Sequence, residues 1–162
     1  MEMRRKEREV ICEEEKLQII KECQVCRVAF AGEFPYIVPV NYGMKVERGE
    51  LVLYFHGAMA GRKYEIVKKA QEEGKVIGCG FTMDQKSGLT DGNTACDYSY
   101  RYESIVGTGV VELVEEREEK KQGLNDIMKH MTGREFSFTD DMVEKVAVFR
   151  IRVKEYRGKR NT

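Results

Sequence analysis

Residues 51–56 read LVLYFH. In an extended chain successive side chains point to opposite faces, so Leu51, Leu53 and Phe55 share one face and Val52, Tyr54 and His56 the other. A strand apolar on both sides does not suit a sheet with one wet face, because each side must be covered. One cover is the inside of a barrel, and the other is a layer of helices or a second copy of the chain. At 162 residues, 41% of them hydrophobic, the chain can fill one proper core. It is read as a single domain, residues 1–162.

The rest of the chain supplies about six strands. Residues 13–22 have a helical pattern, with acids first and Leu17, Ile20 and Cys23 at helical spacing. Residues 25–30 are short, apolar and β-prone and meet a turn signal at 31–33. In 36–42, Tyr36, Val38, Val40 and Tyr42 share one face and Ile37, Pro39 and Asn41 the other. Pro39 cannot donate a ladder hydrogen bond, which marks an edge or bulge. After the strand at 51–56, residues 60–73 are helical and end at Gly74, and 75–82 are extended again. The polar stretch MDQKSGLTDGNTACDY, 83–98, reads as a mobile loop of the kind that covers a site. Residues 100–114 are extended, with Gly107 and Gly109 suggesting the sharp coiling of a small closed barrel. Helices at 115–131 and 140–144 and a strand at 146–153 complete the pattern.

Twenty-eight Lys and Arg balance 28 Asp and Glu, so there is no global field to attract nucleic acid. No stretch has the length and apolarity of a membrane span, and the charged start MEMRRKEREV has no apolar run behind it. A cytoplasmic protein with reduced thiols is expected. Of the five cysteines, Cys23 and Cys26 form a C-x-x-C. A zinc site would need a second pair or nearby histidines, and His56 and His130 are the only two. A redox pair would open a helix, whereas this one follows a helical segment. Both cysteines are read as structural, and no metal is expected.

The sequence YFHGAMAGRK, 54–63, joins a strand to a helix through Gly57 and Gly61 and ends on Arg62 and Lys63. A helix N-terminus offers unpaired N–H groups and the positive end of the macrodipole, and two cations there would favour phosphate. It is not a P-loop, since the glycines are too close and Tyr64 stands where Ser or Thr is needed. Nor does it match G-x-G-x-x-G. The residues alone leave two readings open: a phosphate cradle, or a turn followed by solvated cations.

With MRRKEREV, PYIVPVNYG, RYESIVGTG and VAVFRIRVKEYRGK in order around it, this corner resembles the flavin-binding split-barrel superfamily of pyridoxamine phosphate oxidase, in particular its nitroimidazole-resistance (Nim) branch. The resemblance spans nearly the whole chain. It implies a mainly β fold, a six-stranded antiparallel Greek-key split barrel with helices, and a homodimer with FMN, or FAD, at the subunit interface. By position, Arg62 and Lys63 match the pair that holds the cofactor phosphate, beside Gly57 and Gly61. Val38, Pro39, Val40 and Asn41 match the strand along the flavin ring, and Ser104 matches a polar contact near it. Tyr102 shares the Ser104 face, whereas alternation turns Arg101 away. His56 is a candidate for cofactor or substrate contact or for proton donation, or else an ordinary strand-end histidine.

The resemblance implies an FMN-dependent oxidoreductase that takes electrons from NADH or NADPH and reduces a small organic compound, with nitroaromatics the suggestion of the branch. The alternatives are a flavin carrier or sensor without turnover, and a haem-handling split barrel. Vitamin B6 oxidation is disfavoured, because the end EYRGKRNT lacks the Arg-Leu-x-Pro segment of the pyridoxamine phosphate oxidases.

Overall fold

The computed structural model describes residues 4–32 and 34–161, Ser87 by its backbone alone. Glu33 of the expected turn and Met3 of the N-terminal segment lie outside the described residues. A short 3-10 turn, Lys6–Arg8, precedes β1 (Glu9–Val10), α1 (Glu13–Glu22), β2 (Cys26–Phe30), β3 (Tyr36–Val40), β4 (Gly43–Glu47) and β5 (Glu50–Gly57). Then follow α2 (Arg62–Glu72), β6 (Ile77–Thr90), β7 (Ser99–Leu113), α3 (Arg117–Thr132), α4 (Asp140–Glu144) and β8 (Ala147–Asn161). Among the described residues no helix is long and apolar enough to cross a membrane.

All eight strands join one antiparallel sheet, in the order β3-β2-β6-β7-β8-β5-β4 with β1 beside β8. The two ends of that order, β3 and β4, are linked only by Asn41 and Tyr42. Three Cα–Cα steps span at most about 11 Å, so the sheet must curl until its edges nearly meet. The result is a split barrel, closed by covalent chain where the ladder is open. The sequence suggests six strands, and the two further ones are β1 and β4. One has two residues, and the other, GMKVE, is too polar to show an apolar period.

The first half of the segment expected as a mobile loop at 83–98 belongs to a hairpin arm, and residues 91–98 form the connection at its tip. β6 runs on to Thr90 and β7 starts at Ser99, with Leu89 opposite Tyr100. The arm bulges between Gln85 and Gly88, where Lys86 adopts φ 52°. It reaches past the neighbouring strands, so its side chains need not be apolar, and the polar composition that suggested a loop reflects exposure.

Both expected covers of residues 51–56 are present. Leu51, Leu53 and Phe55 point into the barrel, where Phe55 stacks on Phe149 with centroids 4.7 Å apart. Val52 and Tyr54 form a second core with Val148, Leu124, Ile127 and Val143 under α3 and α4. Truncating Phe55 or Phe149 to alanine would cost about 3–5 kcal/mol.

α1 adds Ile19 and Ile20 to the barrel core, and its last carbonyls are satisfied from elsewhere. The Tyr42 hydroxyl, with one proton to share, lies 2.5 Å from Ile20 O and 2.9 Å from Cys23 O, and His130 Nε2 lies 2.8 Å from Cys23 O. Cys23 and Cys26 are buried, and burial pushes each thiol up to about 12. They are packing residues with little thiolate to offer.

Candidate functional site

The corner between β5 and α2 is built by two glycines with different tasks. Gly61, the N-cap of α2, has φ 91°, in the left-handed region that other residues avoid. Gly57 is needed for close approach: a Cβ there would lie 2.5 Å from Lys63 Cε. Lys63 therefore folds back across the strand end. Its Nζ donates to His56 O at 3.3 Å and lies 5.7 and 5.6 Å from the Phe55 and Phe149 ring centroids. Burial over these rings lowers the Lys63 pKa.

Arg62 points the other way, across to β3, where its guanidinium stands 4.5 Å from the Tyr36 ring centroid. Among the described residues neither Arg62 nor Lys63 has a carboxylate within ion-pair distance. Gly61 supplies no side-chain cap, and Glu65 N is the first α2 amide bonded back to Gly61 O, so the amides of 62–64 have no partner within the helix. Unpaired amides, the helix dipole and two cations suit one multiply charged anion, such as a phosphate.

The His56 ring is exposed, yet its surroundings lower its pKa, first by partial desolvation and then by the charge of Lys63. The shift favours the uncharged imidazole, so less of the protonated form is present to donate a proton at neutral pH than for an ordinary histidine.

β3 leads away from the corner as an edge strand, paired among the described residues only with β2, so the other side of its backbone is open there. This is where Pro39 costs no ladder bond. Val38 and Val40 turn inward to the barrel, so they can meet a ligand through their backbone groups. Pro39 and Asn41 are exposed on the outer face, and Asn41 Nδ2 donates to Gln24 O at 3.0 Å.

Tyr102 and Ser104 do not join the corner. Through the ladder, Tyr36 lies level with Phe30, Cys79 and Gly109. Ser104 lies five residues along β7 from Gly109, about 17 Å, and three strand spacings, about 14 Å, separate β7 from β3. Both residues are half-buried on the outer face of the sheet. Arg101 faces the other way, against Gly88. Tyr36, as the platform under Arg62, was not among the candidates from sequence, because nothing local links a strand start at 36 to a helix start at 62.

A split barrel with an anion-ready helix start beside an open edge strand defines a class of small-molecule-binding β-barrels. The chain belongs to the pyridoxamine 5'-phosphate oxidase family, whose family model matches residues 13–160. Among solved structures it resembles a candidate 5-nitroimidazole antibiotic resistance protein of Bacteroides thetaiotaomicron, with 29% identity, TM-score 0.76 and coverage of 93% of this chain and 85% of that one. The fold also matches an FAD and haem binding protein of Mycobacterium smegmatis, with 14% identity, TM-score 0.77 and 95% and 73% coverage. A third match is the flavocytochrome Anf3 of Azotobacter vinelandii, with 19% identity, TM-score 0.76 and 99% and 72% coverage. A comparison with curated proteins finds no match.

Proposed function

We propose that the protein is a flavin-binding oxidoreductase, with FMN as the cofactor, NADH or NADPH as electron donor and a small oxidised organic compound, such as a nitroaromatic, as acceptor. The observation that carries the cofactor reading is the corner: the amides of 62–64 with no partner within the helix, the left-handed Gly61, and Arg62 over Tyr36 with no carboxylate in ion-pair contact among the described residues. In this reading the flavin phosphate sits at the start of α2, and the ring lies along the open edge of β3, where the backbone of 38–41 meets its polar rim and the exposed Ile37 shields it from water.

A flavin supplies electron transfer by itself, so the chain's task is to bind, orient and shield it. Lys63 and Arg62 place the phosphate, and the neutral His56 offers a hydrogen bond near the same end. The separation of Tyr102 and Ser104 from the corner supports a homodimer in which one copy supplies the corner and β3 and its partner supplies the outer face of β7. The exposed Ile37 of β3 and Val106 of β7 suit the same contact.

A second reading, a haem-binding split barrel, is favoured by the names of two fold relatives, which bind haem or are flavocytochromes. The absorption spectrum of the protein incubated with FMN, FAD or haem separates the readings. Flavin bands with saturable uptake, and bleaching on anaerobic mixing with NADH or NADPH, are expected. Uptake without bleaching leaves a carrier, a Soret band points to haem, and no uptake of flavin removes the proposal.

A further inference from the structure

An open cavity of about 380 Å³ lies between α2 and the junction of β7 with α3, within the ~300–1,000 Å³ range of small-molecule sites. Its apolar lining comes from Met59, Tyr64, Val114, Val146 and Ala147, and Arg62, Lys63 and His56 take no part in it. The charged side chains that line it are Lys68, Glu72, Glu115 and Lys120. Lys68 and Glu72 stand 3.9 Å apart, one turn of α2 from each other, and offset each other. Lys120 of α3 and Glu115, just after β7, have no opposite charge in ion-pair contact among the described residues. Glu115 is held in place by Gln71, whose Nε2 donates to Glu115 Oε1 at 2.7 Å while its Oε1 accepts from Leu113 N at 3.1 Å. Lys120 is half-buried: burial lowers its pKa, Glu144 opposes this and Arg117 adds to it.

We infer that this cavity is a binding site for a small zwitterion with an apolar body, of the α-amino-acid type, whose carboxylate meets Lys120 and whose ammonium meets Glu115. The apolar lining takes the side chain of such a ligand, and each charge that the protein leaves without a partner gains a charge-assisted hydrogen bond. A simple carboxylate would answer Lys120 and be repelled by Glu115, and a simple amine the reverse. A zwitterion satisfies both, and its zero net charge matches that of the four charged side chains together. The site uses none of the residues assigned to the flavin, so it goes beyond the oxidoreductase reading without resting on it.

The test is titration of the ¹⁵N-labelled protein with L-phenylalanine at fixed ionic strength, read by NMR beside 3-phenylpropionate, which lacks the ammonium, and phenethylamine, which lacks the carboxylate. Saturable shifts of the amides of 114, 115, 120 and 147 with L-phenylalanine are expected, with binding about tenfold or more weaker for either analogue. Glycine, with no apolar body, should bind more weakly than L-phenylalanine. Lys120→Met should remove the advantage of L-phenylalanine over phenethylamine, and Glu115→Gln its advantage over 3-phenylpropionate. Both replaced side chains reach solvent, an unchanged melting temperature shows that each variant folds, and the wild-type series needs no variant. No saturation, shifts confined to other parts of the chain, equal affinity for L-phenylalanine and either analogue, or advantages that survive both substitutions would overturn the site. Flavin uptake is measured separately by absorbance, so a protein that binds L-phenylalanine here and takes no flavin keeps this site and loses the flavin proposal, and the reverse result loses only this site.

Discussion

The Arg62 guanidinium lies 4.5 Å from the centre of the Tyr36 ring, joining the first residue of α2 to the first residue of β3. A guanidinium held over an aromatic face by cation–π attraction can still offer its N–H groups to an anion. Lys63, the next residue, is already committed to the His56 carbonyl. The two cations are therefore not equivalent.

Arg62→Ala should weaken FMN binding about tenfold or more, and Lys63→Ala by less, because Lys63 must give up an existing hydrogen bond to reach a phosphate. The double variant should lose roughly a hundredfold, allowing for non-additivity. Riboflavin, which has no phosphate, should bind wild type and variant equally. Fluorescence-quenching titrations at fixed salt provide the numbers. Undiminished FMN binding by the double variant would place the phosphate elsewhere.

Two glycines with equally crowded Cβ positions should respond differently to alanine. At Gly43 the new Cβ would lie 2.3 Å from the Asp126 backbone carbon, inside α3. A helix must move, and a loss of about 1–3 kcal/mol is expected. At Gly57 the obstacle is the flexible end of Lys63. Gly57→Ala should leave the melting temperature nearly unchanged while displacing Lys63 and altering FMN affinity. Calorimetry on both variants decides it, and equal melting temperatures would contradict the account.

Thiol reactivity should divide the cysteines. Cys12 and Cys96 are exposed, whereas burial pushes Cys23 and Cys26 up to about 12 and Cys79 to about 11. Ellman's reagent should find the two exposed thiols quickly in the native protein and all five after denaturation. Rapid native labelling of Cys23 or Cys26 would revive a redox role for the C-x-x-C.

Glu103 is buried, with Lys86 Nζ at 2.9 Å and Arg160 Nε at 2.6 Å. Burial raises its pKa, but the hydrogen bonds from Lys86, Arg160 and Gln85 outweigh this and bring it below its ordinary value. A carboxylate depressed in the folded state contributes stability that is fully present above its unfolded pKa and is lost as pH falls through the folded one. The wild type should therefore lose stability below about pH 4.3, and Glu103→Gln should flatten that limb. At pH 7 the variant should be less stable by about 1–3 kcal/mol, since two cations lose their partner. Urea unfolding from pH 3 to 7 measures both effects, and parallel curves for the two proteins would count against it.

Much of the fold was legible because alternation is a local property. The two-sided apolar strand at 51–56 required two covers, and it has a barrel interior on one side and α3 with α4 on the other. Pro39 announced an edge because a missing N–H is a fact of the residue, wherever it folds. The corner at 57–63 was likewise written in adjacent residues. Tertiary structure decided what pairing over long separations controls. The arm at 83–90 and 99–102 looked like a loop because a projecting hairpin need not be apolar, and only the ladder between Leu89 and Tyr100 makes it strand. Arg62 met Tyr36 because the fold sets the start of α2 beside β3, and Lys159 met Tyr102 because β8 pairs with β7 across more than fifty residues of chain. The sequence by itself determined which residues must be buried and where the backbone turns. Which charges lie side by side was decided by the tertiary structure, since a charge acts through space and its neighbours in space are chosen by the whole fold.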